Sequence, residues 1–269
     1  MFTLRQYLLA LLDSRGLTRT LGEIDVCRDE QGRPCFSAGN SAAVFRIRLG
    51  GRIRSLRCYL RPMRHLKEIY GQRLLEKELY LHTSPETGVW VDTVLGNWIE
   101  GSTLHETVAQ AAALRDRESL QILVRLFDRL ALALVTDDRA HGDLKPDNII
   151  VGDDGTLCPI DFDASYLPAF AGEISPELGT AAYQHPARTA ADFDERIDDY
   201  PAALISTALH ALAEDPTLWD RYGSSDGLLY TPQRIASDPA YRETLALFEK
   251  RGMAVQYRIA QLLTAPTLR

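Results

Sequence analysis

Polar and apolar positions follow two different periods in this chain, and the change between them divides it. Near the start, Phe2, Leu4, Leu8, Leu9 and Leu12 recur close to helical period ahead of Gly16, which predicts an amphipathic helix. Strand signals begin after Leu21. Cys35 to Asn40 leads into Ala43–Leu49, where Val44, Arg46 and Arg48 alternate with Phe45, Ile47 and Leu49. Gly50-Gly51 reads as a hairpin turn. Ser55 to Arg61 is the next strand, with Ser55, Arg57, Tyr59 and Arg61 on one face and Leu56, Cys58 and Leu60 on the other. Pro62 suits the first turn of a helix over about Met63–Leu75. Two further strands are expected at Glu78–Thr83 and Val89–Trp98.

From Leu104 the pattern changes. Leu120, Leu123, Phe127, Leu130, Ala131 and Leu134 form one apolar face of a helix over Glu118–Val135. Ile149 to Val151, the turn Gly152-Asp153-Asp154-Gly155, and Leu157 to Ile160 make a short hairpin. Residues 164–186, interrupted by Pro168, Gly172, Pro176, Gly179 and Pro186, read as irregular. A strongly apolar helix is expected over Asp199–Ala213, with further helical pieces around Thr231–Ser237 and Ala240–Leu263. The class is therefore α+β: a small antiparallel sheet with one helix, followed by a mainly helical part.

Composition adds exclusions. With 269 residues, 45% hydrophobic and 25% charged, the chain can bury a substantial core. A net charge of −7 argues against non-specific nucleic-acid binding, which needs a basic footprint. Cys27, Cys35, Cys58 and Cys158 form no CxxC pair and no zinc spacing, and read as free thiols of a reducing compartment. The apolar run Leu8–Leu12 ends at Asp13 and is too short for a signal peptide. No stretch approaches the ~18 apolar residues of a membrane span. The expected location is cytoplasmic, with no membrane and no nucleic-acid partner.

Candidate chemistry concentrates in His141-Gly142-Asp143-Leu144-Lys145-Pro146-Asp147-Asn148 and, past the hairpin, Ile160-Asp161-Phe162-Asp163. Acids, an amide and an amine occupy one loop, and the hairpin folds another acid back towards them. Such a set suits phosphoryl transfer or nucleotide binding. In the strand-rich part the corner Gly39-Asn40-Ser41 offers backbone N–H groups to phosphates, although a hairpin with a glycine is ordinary.

Residues 141–148 with 161–163 resemble the catalytic loop and the metal-binding segment of the protein-kinase superfamily, H-R-D-L-x-x-x-N and D-F-G. Gly179 to Pro186 resembles the end of an activation segment, Asp199 the aspartate opening the buried helix of the large lobe, and Trp98-Ile99-Glu100-Gly101 the hinge. The resemblance covers about residues 30–215. It implies a kinase-like two-lobed fold: a β-rich lobe with an N-terminal helical extension over 1–96, a hinge at 97–101, and a helical lobe over 102–269. It implies ATP and Mg²⁺. Asp143 would orient the proton of the substrate hydroxyl, and Lys145 would face the transferring phosphoryl group. Asn148 and Asp161 would be hard oxygen ligands of the metal. Gly39, Val44, Arg57, Glu68, Asn97, Ile99 and Ile150 would bind the nucleotide, with Ile150 beneath the adenine and the Ile99 backbone reading its edge.

The chain also departs from that pattern. Ser37, Gly39 and Ala42 stand at the glycines of the phosphate loop, so only the middle one survives. Arg57 stands at the strand lysine, and Arg for Lys is not conservative at a tight site. Its helical partner would be Glu68 or Glu76. Gly142 replaces an arginine that pairs with a phosphorylated segment, so activity is not expected to be gated that way. Asp163 adds a carboxylate beside the metal. Gly96 before the hinge predicts an enlarged back pocket. Three classes follow: a divergent protein Ser/Thr kinase, to which Lys145-Pro146 and the segment 179–186 point; a pseudokinase that binds nucleotide or a partner, to which Arg57 points; and a kinase of a small hydroxylated molecule, such as aminoglycoside and choline kinases, to which His141-Gly142-Asp143 and Asp161-Phe162-Asp163 point.

Overall fold

The computed structural model describes residues 1–268, in two compact units: Met1–Trp98, and the rest from Ile99 onwards. In the first unit, α1 (Leu4–Leu12) starts from a reciprocal cap. The Gln6 N–H donates to Thr3 Oγ1 at 3.3 Å, and the Thr3 N–H donates to Gln6 Oε1 at 2.9 Å. The unit's strands are β1 (Asp25–Val26), β2 (Phe36–Ala38), β3 (Ala42–Leu49), β4 (Arg52–Tyr59), β5 (Leu74–His82) and β6 (Gly88–Asn97), with α2 (Leu66–Tyr70) between β4 and β5. They form one sheet in the order β1-β3-β4-β6-β5, with β2 paired to β3.

Alternation sorts the two faces of this sheet. Phe45 and Ile47 of β3 and Leu56 and Cys58 of β4 are buried with Tyr7 and Leu11 of α1, so the N-terminal helix covers the apolar face. Val44 and Arg57, directly opposed in the β3–β4 register, lie half-buried on the other face. Gly50 and Gly51, at φ 55° and 76°, make the two-residue turn between these strands, a conformation that needs positive φ at both positions.

The helix expected over Met63–Leu75 is a single turn. Gly71, at φ 53°, ends α2, and Leu74 and Leu75 already pair with Val94 and Thr93 as the start of β5. The pairing shifts between Leu75 and Leu79, and Lys77, at φ 51°, donates its N–H to Asp92 Oδ1 at 2.7 Å. Glu78 of β5 is 1% exposed. Its carboxylate accepts from the N–H groups of Arg19, Thr20 and Leu21 and from the Thr20 hydroxyl, at 2.6–3.1 Å, which ties the segment after α1 to the sheet.

The second unit contains a three-stranded sheet of β7 (Gly101–Thr103), β8 (Ile149–Gly152) and β9 (Leu157–Pro159). Its helices are α3 (Leu104–Ala113), α4 (Arg117–Thr136), α5 (Asp199–Glu214), α6 (Leu218–Tyr222), α7 (Pro239–Arg251) and α8 (Ala254–Leu262). α4 and α5 carry the expected apolar faces, and Leu120, Phe127, Ile205, Leu209 and Leu212 are fully buried in one core. The helical stretch expected around Ala240–Leu263 consists of two helices, because Gly252, at φ 69°, ends α7. No helix among the described residues is long and apolar enough to cross a membrane.

Candidate active site

The loop 141–148 is built on a buried histidine. His141 is 2% exposed; its Nε2 lies 2.7 Å from the Ile160 carbonyl, and its Nδ1 accepts from the Asp143 N–H at 3.3 Å. An accepting Nδ1 assigns the proton to Nε2, which donates to Ile160. The Ile160 N–H in turn donates to the Asn148 carbonyl at 2.9 Å, so the β8–β9 hairpin is stitched to the loop on both sides.

Asp143, Lys145 and Asn148 come together with a fourth residue, Thr180. Asn148, 6% exposed, donates Nδ2 to the Asp143 carbonyl at 2.9 Å and to Asp143 Oδ2 at 3.2 Å. The Thr180 N–H donates to Asp143 Oδ1 at 2.5 Å. Lys145 Nζ lies 2.9 Å from Thr180 Oγ1 and 3.5 Å from Asp143 Oδ2. A cation, a carboxylate and a hydroxyl are thus held in one small array, and the 179–183 segment is docked directly on the loop. The signal for Thr180 was its place after Gly179 in the stretch that resembles an activation segment.

Asp161 is half-buried in a left-handed conformation, φ 67°, ahead of the 3₁₀ turn Phe162–Ala164. The conformation is uncommon for a non-glycine residue and turns the chain sharply out of β9. Asp163 is 4% exposed. The Asn148 amide nitrogen is already engaged by Asp143, so Oδ1 is the oxygen it has left to present. Among the described residues no group of three or more His, Cys, Asp or Glu forms a ready-made metal site. Ile150 is half-buried in β8, opposite Thr103 and Cys158.

Asp199 opens α5, as the resemblance implied, and the aspartate that anchors the loop is its neighbour Asp198. Asp198 is 1% exposed and accepts from the N–H groups of His141 at 2.5 Å and Gly142 at 3.0 Å. Burial pushes its pKa up. Asp199, the first residue of α5, is half-buried and contributes no such bond to the loop. The glycine at 142 also has a local cause: at φ 81°, a Cβ there would lie 2.0 Å from the Ala164 carbonyl oxygen.

In the first unit, Gly39 is exposed in the turn before β3, and its N–H donates to the Ala42 carbonyl at 2.9 Å. The Arg57 guanidinium lies 5.8 Å from the Tyr59 ring centroid, and that of Arg46, two positions after Val44, lies 5.7 Å from the Trp98 centroid. Glu68 is exposed on the one-turn α2, and Glu76 is paired with Lys67 at 3.2 Å. Asn97 accepts from Arg54 at its side chain and from the Ser55 hydroxyl at its carbonyl, the latter at 3.1 Å. The space beside Gly96 is taken by Ser55, whose Oγ would be 2.7 Å from a Cβ at that position. Ile99, half-buried, opens the second unit.

No protein-family model matches the chain. It is similar to CBL-interacting protein kinase 17 of rice, Oryza sativa subsp. japonica, at 27% identity over 172 residues, a match that covers 61% of this chain and 35% of the relative. The chain thus spans about a third of that protein's length. A curled antiparallel sheet followed by a helical part, with this similarity, defines an α+β fold of the protein-kinase-like class.

Proposed function

We propose that this chain is an ATP- and Mg²⁺-dependent phosphotransferase that transfers the γ-phosphate to a Ser or Thr hydroxyl of a protein, acting in the cytoplasm. The observation that carries the reading is the array of Asp143, Lys145 and Thr180, with Lys145 Nζ 2.9 Å from Thr180 Oγ1 and the Thr180 N–H 2.5 Å from Asp143 Oδ1. It joins the loop to the segment that would seat a peptide, which favours a protein over a small hydroxylated substrate.

Phosphoryl transfer asks the protein mainly for position and charge. Asp143 accepts the proton of the incoming hydroxyl. Lys145 places its ammonium against the phosphoryl oxygens. Asn148 Oδ1 and the Asp161 carboxylate are hard oxygen donors of the type Mg²⁺ takes, and they are the groups that would hold it. The ion, when bound, neutralises charge on the phosphates. Domain limits of 1–96, 97–101 and 102–269, and nucleotide contacts from Gly39, Val44, Arg57, Glu68, Asn97, Ile99 and Ile150, belong to the same proposal.

A second reading, nucleotide or partner binding without turnover, is favoured by one observation. The face of the first sheet that carries Val44 also carries Arg46 and Arg57, with Arg46 over Trp98. One experiment decides between the two: γ-phosphate transfer from Mg²⁺-ATP to a generic protein substrate, with thermal shift on the same samples. Asp143→Asn is expected to lower transfer by ~10²–10⁴-fold while leaving the ATP-induced shift in place. Wild-type protein that is stabilised by Mg²⁺-ATP but transfers nothing supports the second reading. Labelling by Asp143→Asn at the wild-type rate refutes the assigned base.

A further inference from the structure

We infer that Arg188 is a positioning residue for Asp143: an internal cation that clamps the Gly142 carbonyl and so joins the end of the 179–188 segment to the loop. The functional consequence rests on the phosphotransfer reading, but the geometry does not.

Arg188 is 8% exposed. Its Nη1 donates to the Gly142 carbonyl at 3.2 Å and to Gln184 Oε1. Its Nε and Nη2 have no hydrogen-bond partner. Burial pushes its pKa below the ordinary value for a guanidinium, and the charges of Asp198, Asp143, Asp192 and Asp194 work the other way and favour the cation. A guanidinium used only to fill space would be a poor choice here, because apolar side chains of similar volume stabilise such positions as well or better. The placement itself suggests what the charge is for.

The Gly142 carbonyl belongs to the peptide whose nitrogen is that of Asp143. That peptide is planar. Arg188 holds its oxygen, and His141 Nδ1 holds its N–H at 3.3 Å. One residue earlier, Asp198 accepts the Gly142 N–H at 3.0 Å. Opposite charges therefore grip the two sides of Gly142, and the orientation of the following plane sets where the Asp143 side chain starts. The same segment returns to Asp143 at its other end: Thr180 donates to Oδ1, and a Cβ at Gly179 would lie 2.8 Å from the Gly142 carbonyl oxygen, 2.8 Å from Gln184 Nε2 and 3.0 Å from Asp143 Oδ1. Gly179–Thr180 and Gln184–Arg188 close on one peptide from two directions. The loop and segment are held together by a charge in the chain itself, so no phosphate added to the segment is needed to assemble them.

Hydrogen exchange on the full chain, alongside steady-state kinetics, tests this with Arg188→Met, Arg188→Lys and Gln184→Ala. A hydrogen bond to a charged group governs opening here, so Arg188→Met should speed exchange of the Thr180 amide by about 10- to 100-fold and leave the α5 amides unchanged. Arg188→Lys keeps the charge and one donor and should recover most of the protection. In the transfer assay, Arg188→Met should lower kcat by about 10- to 100-fold with the KM for ATP nearly unchanged, as expected when a reacting group is misplaced. Phosphatase treatment of the wild type should change neither readout. Should Arg188→Met fail to fold, Gln184→Ala removes the second acceptor and should raise Thr180 exchange about threefold on the same grounds. Wild-type exchange at Thr180 in the folded variants overturns the inference, as does equal loosening of α5, or loss of protection on phosphatase treatment. Wild-type protein that transfers nothing refutes only the phosphotransfer reading, and the exchange arm still decides the role of Arg188.

Discussion

Replacing Gly142 by Ala isolates what holds the loop in shape, because the chain contains its own control. Gly142 and Gly155 have nearly the same backbone conformation, φ 81° and 77°. A Cβ at Gly155 meets nothing within 4 Å, whereas one at Gly142 lies 2.0 Å from the Ala164 carbonyl oxygen and 2.7 Å from its carbon. Both substitutions carry the cost of a side chain at positive φ, about 1 kcal/mol. Only Gly142→Ala must also push a buried carbonyl aside by more than an ångström. That carbonyl has little room to yield, since the neighbouring Tyr166 exchanges backbone bonds with Ala140 at 2.9 and 3.1 Å and the Ser165 hydroxyl donates to the His141 carbonyl at 3.3 Å. Overpacking of this kind costs a further ~2–3 kcal/mol. At about 2–4 °C per kcal/mol for a unit of this size, Gly142→Ala should lower Tm by about 6–16 °C and Gly155→Ala by only about 2–4 °C. Circular dichroism melts of the two variants, confirmed by urea unfolding, make the comparison. Equal Tm values within about 2 °C would refute the close approach of Ala164, and with it the reason given for a glycine inside the loop.

Glu78→Ala removes the acceptor of three backbone N–H groups and the Thr20 hydroxyl. It should cost about 2–4 kcal/mol and speed exchange at residues 19–21; unchanged exchange there would show that Glu78 is not the tie. Gly39→Ala should leave Tm unchanged, since Gly39 avoids positive φ and a Cβ there has its nearest neighbour at 4.0 Å. Lost ATP binding with an unchanged Tm would mean that nucleotide approaches its backbone, and a large fall in Tm would refute the reading of the turn. At Asp128, burial pushes the carboxyl pKa up, but hydrogen bonds from His210 and Ser206 outweigh it and leave the value below the ordinary range. A depressed folded pKa adds stability above the unfolded value near ~4 and loses it as pH falls through the folded one. Asp128→Asn should therefore cost under about 1 kcal/mol at neutral pH, because the pair is partly exposed, and the difference should close below about pH 4 in urea titrations. A pH-independent difference would contradict the assignment.

What was legible in the sequence was whatever a period or a chemistry imposed on residue type. Phe45, Ile47, Leu56 and Cys58 announced a sheet because one of its faces is dry and the period is two. The helix predicted over Met63–Leu75 failed for a definable reason: apolar residues at Leu66, Ile69, Tyr70, Leu74 and Leu75 satisfy a helical spacing, yet the last two are claimed by pairing with β6 across the Gly71 stop. α3 escaped notice because, of its buried residues Leu104, His105, Val108, Ala111 and Ala112, only Leu104 and Val108 are large and apolar, which makes a weak pattern; the capping box of Thr103 and Glu106 was its real signal. The break at Gly252 was visible as a glycine but not as a left-handed one.

The loop itself divides in the same way. Asp143, Lys145 and Asn148 could be read because chemistry dictates their types and their spacing within a few residues. Asp198 and Arg188 could not, because their work is to hold the N–H and C=O of a glycine 46 to 56 residues earlier in the chain. Nothing local distinguishes Asp198 from Asp199, and a residue that acts on backbone leaves no complementary side chain to mark its partner. The one trace is Gly142, whose missing side chain lets Ala164 approach and whose peptide both charges grip. A glycine where a motif has arginine reads as a loss in sequence; in the fold it is the point at which a distant acid and a distant base take hold of the loop.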